Sequence, residues 1–310
     1  MMTAPVTEIL SRKLEIALEN ELNRITEGLE EAVNFGTQIL NKGMKKGGTE
    51  ADLPAVLFLR NMLENIDAIT VLIRNGVIEP CNNLLRTALE NLFSLEYLLA
   101  DSGKITERSR SFLVWNFVTQ EKWLSKADIG TPAYKEMEAK FKKDRLMKSA
   151  FPYFIDADDL GKEMSQKIFS LPGYQEVKQE YDRTKKIKKN PAWYSLYDGP
   201  GNLEQVASLL DLPALYEVLY RGWSPTTHGN NILQGKIEIS KEGFAKIAPL
   251  RDPYPAASIA QHCMNICILS FRAFISWKVP EMGKEYDKWY QQIREFNLNL
   301  VPVPPKPGSV

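Results

Sequence analysis

Histidine is scarce in this chain, with two in 310 residues, and cysteine is scarcer than chance with three. Neither charge is in excess, since thirty-nine Lys and Arg balance thirty-nine Asp and Glu. Each shortage excludes something. Three cysteines without framework spacing build no disulfide scaffold and fit a reducing compartment. A net charge of zero gives no overall field toward nucleic acid or membrane, so any polyanion would have to bind at a local patch. No apolar run approaches the ~18 residues that span a bilayer. The N-terminus is charged from the start and lacks the apolar core of a signal peptide. A cytoplasmic protein with no membrane partner is the expectation.

Catalytic and nucleotide-binding signatures are missing too: GxxxxGK[ST], GxSxG and HExxH do not occur. In "AQHCMNIC", Cys263 and Cys267 share a helical face, but His262 points elsewhere and no CxxC is near. Structural zinc wants four ligands, so a packed cysteine pair is the expected reading, with no metal and no cofactor.

What is present is a 3.6-residue apolar period. Leu10, Leu14, Leu18, Leu22, Ile25, Leu29 and Val33 recur at spacings of three or four, which predicts a first helix over about 6–41. Further helices are expected at about 53–74, 80–101, 106–126, 132–148, 157–169, 203–210, 213–221, 256–278 and 282–297. The stretch from "LPGYQ" to "YDGPGN" reads as loop-rich, and "GKIEISKEGF" allows one small hairpin. The expectation is an all-α multi-helix bundle. Residues 1–50 form a long helix and loop packing on the core or dimerising, 51–298 form the core, and 299–310 a proline-rich tail, expected to be disordered.

From Ala51 to Gly103 there is no lysine, although a quarter of the chain is charged. Lysine is the default solvated residue, so the second and third helices are expected at the centre of the bundle. The third nevertheless carries Asn82, Arg86, Glu90 and Ser94 at a strict four-residue spacing, which lets Arg86 reach Glu90 one turn on. That stripe reads either as a buried ion pair fixing helix register or as the wall of a polar cavity. The basic runs at 140–148 and 185–189 read as solvated lysines, with phosphate contact the alternative.

"LYRGWSPTTHGNN" holds one of the two histidines. Tyr216, Tyr220 and Ser224 share one helical face, and Glu217 lies a turn before Arg221. Gly222 offers a helix stop, and Ser224-Pro225 reads as a cap and first turn of a new helix. The break would aim Arg221 and His228 from two helix ends at one point.

Arg-x6-His resembles the Arg-x4–6-His motif of the HEPN superfamily of small all-α nucleotide- and RNA-binding domains. More specifically, the chain resembles an uncharacterised bacterial HEPN-like family that pairs an R-x3-E helix with a later W…Y-x3-YR-x2-S-x3-H segment. The matching positions are Arg86, Glu90, Trp193, Tyr216, Tyr220, Arg221, Ser224 and His228, over roughly 53–232. The resemblance implies metal-independent cleavage of RNA through 2′-hydroxyl attack, with His228 assisting proton transfer and Arg221 stabilising charge on the phosphate. It also implies a role as toxin or phage-defence effector, a homodimer, and a protein partner such as an antitoxin. Catalytic members usually follow the arginine with a polar residue, and here Gly222 stands there. The competing expectation is a non-catalytic module binding a nucleotide, RNA or a protein through the same residues.

Overall fold

The structure is a computed structural model that describes residues 3–151, 169–223, 236–239, 243 and 245–300. It is all-α apart from one hairpin, as the periodicity predicts. Two compact units divide the chain, one formed by 1–102 and 206–310, the other by 103–205. The span 51–298, drawn as one core from the sequence, contributes to both.

In the first unit, α1 (Ile16–Lys45), α2 (Leu53–Arg74), α3 (Cys81–Leu99) and α8 (Ala256–Lys278) pack each on the next, and α8 returns to α1. Together they close a four-helix bundle, and α9 (Gly283–Leu298) lies against α1 and α8. The apolar stripe of α1 supplies Leu22, Ile25, Leu29 and Ile39, all with no exposed surface. Burying each such side chain stabilises the fold by roughly 1.5–3 kcal/mol. Gly36 allows a close approach, because a Cβ there would overlap Leu63 and Phe271 side chains. The lysine-free helices α2 and α3 pack on each other within this ring, but they are not its centre: α2 turns Leu57 and Val71 outward, 41% and 53% exposed.

α1 starts ten residues later than the periodicity suggests, and ends at Lys45 rather than near residue 41. The Ile9 carbonyl accepts from the Leu250 N–H at 2.8 Å, and the Ser11 hydroxyl donates to the Lys13 carbonyl at 2.8 Å. These bonds divert backbone and side-chain groups that a continuous helix would use. From Leu22 onward the stripe is core of its own bundle. It is not a free face for dimerisation.

α8 is long and apolar enough, by length and composition, to cross a membrane, which run length alone does not register. Its Ala260, Met264, Phe271 and Phe274 are buried within the bundle. The hairpin joins β1 (Ile237–Ile239) to β2 (Ala245–Ile247) in antiparallel register, Ile237 opposite Ile247.

The second unit holds α4 (Ile105–Leu124), α5 (Pro132–Lys143) and α6 (Tyr174–Ile187). α5 stops before residue 148 because the Asp144 carboxylate accepts the Leu146 and Met147 N–H groups, closing a turn. Its lysines pair with glutamates four residues back, Lys140 with Glu136 and Lys142 with Glu138. The helix expected at 157–169 lies, but for its last residue, outside the described residues, as does the tail beyond residue 300.

α6 corrects the loop-rich reading. Its apolar residues are few, but Tyr174, Val177, Tyr181 and Thr184 fall on one buried face against α4. The Glu180 carboxylate then ties the helix to the following turn. It accepts from Arg183, Thr184 and the Tyr197 N–H, and the Arg183 contact above all holds its pKa down at about 2. That turn is unusual, since Tyr197 and Asp198 both adopt positive φ, at 54° and 57°.

Candidate functional site

The site is built where a segment from the far end of the sequence docks on α3. After α7 (Leu203–Leu209) and one short turn at Pro213–Leu215, the chain runs as a π-helix from Tyr216 to Arg221. π-helical turns are rare and concentrate at functional sites. The turn widens the helix enough for Gly222 to sit against the Val218 carbonyl, where a Cβ would collide. Gly222 is right-handed helical, with φ −59° and ψ −33°. The helix ends at Arg221 with Gly222 as its C-cap, as the sequence suggests, but without the left-handed conformation that commonly accompanies such a stop. Glycine is needed for space, not for φ.

On α3, Arg86 and Glu90 are paired as the spacing predicts, Nε to Oε1 at 3.7 Å. The sequence did not foretell what lies between them. Arg86 Nη2 donates to the Tyr220 hydroxyl at 2.9 Å, and that hydroxyl donates to Glu90 Oε1 at 2.7 Å. The guanidinium carbon also stands 4.2 Å from the Tyr220 ring centroid, within cation–π range. Arg86 Nη1 is buried and has no hydrogen-bond partner among the described residues. Burial pushes the Tyr220 phenol up to about 12, with Arg86 pulling the other way and Glu90 adding to the rise. The hydroxyl thus stays protonated and keeps donating to Glu90.

Tyr220 stacks on Tyr216, centroids 5.0 Å apart and planes 22° apart, and Tyr216 meets Phe93 of α3 at 6.5 Å. Arg221 lies 5.7 Å from the Tyr216 ring and pairs with Glu217, Nη1 to Oε2 at 2.9 Å. This second Arg–Glu pair is open to solvent, its side chains 53% and 57% exposed, whereas Arg86 is 16% exposed. Two i,i+4 pairs therefore bracket one tyrosine stack, the inner one closed on a hydroxyl and the outer one facing water.

Of the residues expected at the site, the fold brings together Arg86, Glu90, Tyr216, Tyr220 and Arg221. Asn82 lies one turn before Arg86 and makes no side-chain hydrogen bond among the described residues. Trp193 is core of the second unit, edge-on to Phe112 at 5.8 Å. Ser224 and His228 lie outside the described residues.

One residue was missed. His262 of α8 meets Trp223, two residues past Arg221, edge-to-face at 5.7 Å, and its Nε2 lies 3.5 Å from the Ser258 hydroxyl. Burial lowers its pKa below the ordinary 6.5, favouring the neutral ring. Nothing in the sequence could announce this pairing, because it depends on how α8 packs beside the turn. The neighbouring Cys263 and Cys267 are fully buried and unbridged, and burial raises both thiols. Among the described residues, no group of three or more His, Cys, Asp or Glu could hold a metal ion.

A family model described as "Family of unknown function (DUF5677)" matches residues 52–243, well over half of the 310. The chain belongs to this family. The DUF5677 span takes in Arg86, Glu90 and the whole Tyr216–Arg221 turn, along with Ser224 and His228. It excludes α1, α8 and therefore His262. No curated protein and no solved structure matches the chain.

Proposed function

We propose that this DUF5677 protein is a HEPN-type, metal-independent endoribonuclease with its site on the Tyr216–Arg221 turn. The observation that supports this most is the docking of that turn. Tyr220, locked between Arg86 and Glu90, fixes the neighbouring Arg221 at the surface beside an aromatic stack. An arginine held there offers a planar fork to a phosphodiester. In this reading Arg221 stabilises charge on the phosphate. His228 assists proton transfer as the ribose 2′-oxygen attacks phosphorus, releasing a 5′-hydroxyl and leaving a 2′,3′-cyclic phosphate. The role is that of a cytoplasmic toxin or phage-defence effector acting as a homodimer, restrained by a protein partner.

A second reading has its own support. Arg221 is paired with Glu217, and Gly222 supplies no polar side chain after the motif arginine. In that reading the same residues bind RNA, a nucleotide or a protein without cutting.

Induced expression in a bacterial host separates the two. The nuclease reading expects growth arrest that Arg221→Ala and His228→Ala each relieve. Unimpaired growth with the wild type, together with RNA binding lost in Arg221→Ala, supports the binding module instead.

A further inference from the structure

The second unit is the basic part of a balanced chain. Residues 103–205 carry nineteen Lys and Arg against fifteen Asp and Glu, in a protein whose totals are equal. The fold gathers part of this excess. Arg110 of α4 faces the Tyr174 ring of α6 at 5.4 Å, and Lys122, further along α4, donates to the Tyr181 hydroxyl at 3.4 Å. Later residues of one helix thus meet later residues of the other, so α4 and α6 run parallel and finish at the same end. There α4 and the turn after it bring Lys122, Trp123 and Lys126. α6 and the residues after it bring Lys185, Lys186, Lys188 and Lys189. The carboxylates of this stretch are engaged elsewhere, Asp182 with Lys178, and Glu180 and Asp198 with Arg183. These four lysines have no ion pair among the described residues. Glu121 and Asp128 are the other acids of the α4 terminus.

Trp123 is 57% exposed, with the Lys126 ammonium 3.6 Å from its ring centroid. An open aromatic ring beside unpaired cations is the make-up of surfaces that hold single-stranded nucleic acid, where bases stack on the ring and lysines follow the phosphates. The negative end of each helix dipole accounts for Lys122, Lys185 and Lys186, which lie in the last turns. It requires neither Lys188 and Lys189 beyond the helix nor the exposed indole. We propose that this end of the second unit is a docking platform for single-stranded RNA, with Trp123 stacking on a base and the lysines from Lys185 to Lys189 lying along the backbone. The choice of RNA rests on the reading above, which the platform extends by a second place, in the other unit, that holds the strand. Screening over ~10 Å at 0.1 M salt lets such a patch act locally although the whole chain is neutral.

The probe is a fluorescein-labelled oligouridylate with 2′-O-methyl groups, which has no 2′-hydroxyl to attack and so stays whole. Its binding to the full-length protein is read by anisotropy in EDTA, across roughly 50 to 200 mM KCl. Each phosphate neutralised on a single strand adds about 0.7 to the salt slope. Replacing Lys185, Lys186, Lys188 and Lys189 together by Gln is therefore expected to flatten the slope by about 2 to 3 and to weaken binding at low salt at least about tenfold. The same change at Lys140, Lys142, Lys143 and Lys148, the unit's other basic run, is expected to alter affinity by less than about threefold. Trp123→Ala is expected to cost about tenfold with the slope unchanged, because stacking releases no counterions, and Trp123→Phe to restore most of it. Unchanged circular dichroism shows that each variant is folded. A slope untouched in the first four-lysine variant, an equal loss in the second, or a Trp123→Ala protein that binds as wild type overturns the platform. Binding to phosphatidylserine vesicles with none to the strand overturns it too and makes this end a lipid contact, and binding to neither also overturns it. RNA cleavage in EDTA is measured separately: a wild type that cuts without the platform keeps the nuclease reading, and one that binds through the platform without cutting keeps the platform alone.

Discussion

The Tyr220 hydroxyl donates to Glu90 Oε1 at 2.7 Å, across 130 residues of sequence. With the bond that Arg86 Nη2 donates to the Tyr220 hydroxyl, it turns an ordinary i,i+4 pair into a latch for a distant segment. Tyr220→Phe deletes both bonds while keeping the ring, and is expected to cost ~1–3 kcal/mol of stability, the range for leaving hydrogen-bonded polar groups unpaired. Urea denaturation of Tyr220→Phe, Glu90→Gln and the double variant checks this. A coupling near zero between the two substitutions speaks against the latch.

The latch also titrates. Tyr220 and Tyr286 are both raised from 10 to about 12, burial being the main cause in each. Between pH 10 and pH 12 the unfolded chain loses these protons and the folded chain keeps them. Stability should therefore be intact below pH 10 and fall as pH rises toward 12. Ultraviolet titration should show late-ionising tyrosines, Tyr197 being raised by burial as well, and Tyr220→Phe should remove one of them.

His262 runs in the opposite sense. Its folded pKa is lowered by burial, so its contribution is present above 6.5 and is lost as pH falls below that value. Because the chain has two histidines, imidazole NMR signals are few enough to assign with one His262→Asn variant. The signal that variant removes should titrate below 6.5.

Gly222→Ala is expected to destabilise the π-helical turn, since the new methyl meets the Val218 carbonyl. The substitution should lower the melting temperature and bring the late Tyr220 titration back toward 10, because the turn can no longer seat that ring. An alanine variant with an unchanged tyrosine titration would show that the backbone does not need this glycine.

The bundle was legible where one helix face carried the whole message. The stripe of α1 and the lysine-free α2 and α3 declared an apolar interface, and the Arg86–Glu90 spacing declared a pair. What stayed hidden depended on contacts between segments far apart in sequence. The segment before α1 is tied by its Ile9 carbonyl to the Leu250 N–H, and Glu15, at the helix N-cap, is extended. α6 has a thin apolar stripe among charges, and it is fixed by packing on α4 and by Glu180's bond to Tyr197. The use of Tyr220 as the group between Arg86 and Glu90, and the meeting of Trp223 with His262, likewise have no local signature.

The intramolecular fate of the α1 stripe has a direct check. Leu29→Ala, at a site with no exposed surface, should cost ~2–5 kcal/mol, the usual price of such a cavity. Light scattering on the folded variant should give the same mass as the wild type. A change of oligomeric state in this variant would mean that the stripe serves an interface.

The central claim is metal-independent RNA cleavage at the Arg221 site, and a single-stranded RNA digest in excess EDTA measures it most directly. The account predicts products ending in 2′,3′-cyclic phosphate, a rate unchanged by the chelator, and a loss of at least ~100-fold in His228→Ala, the lower bound for acid–base assistance. Arg221→Lys should also fail to restore the rate, since a point charge cannot reproduce the guanidinium's paired donors. Cleavage that requires magnesium, or that survives either substitution within a few-fold, would contradict it.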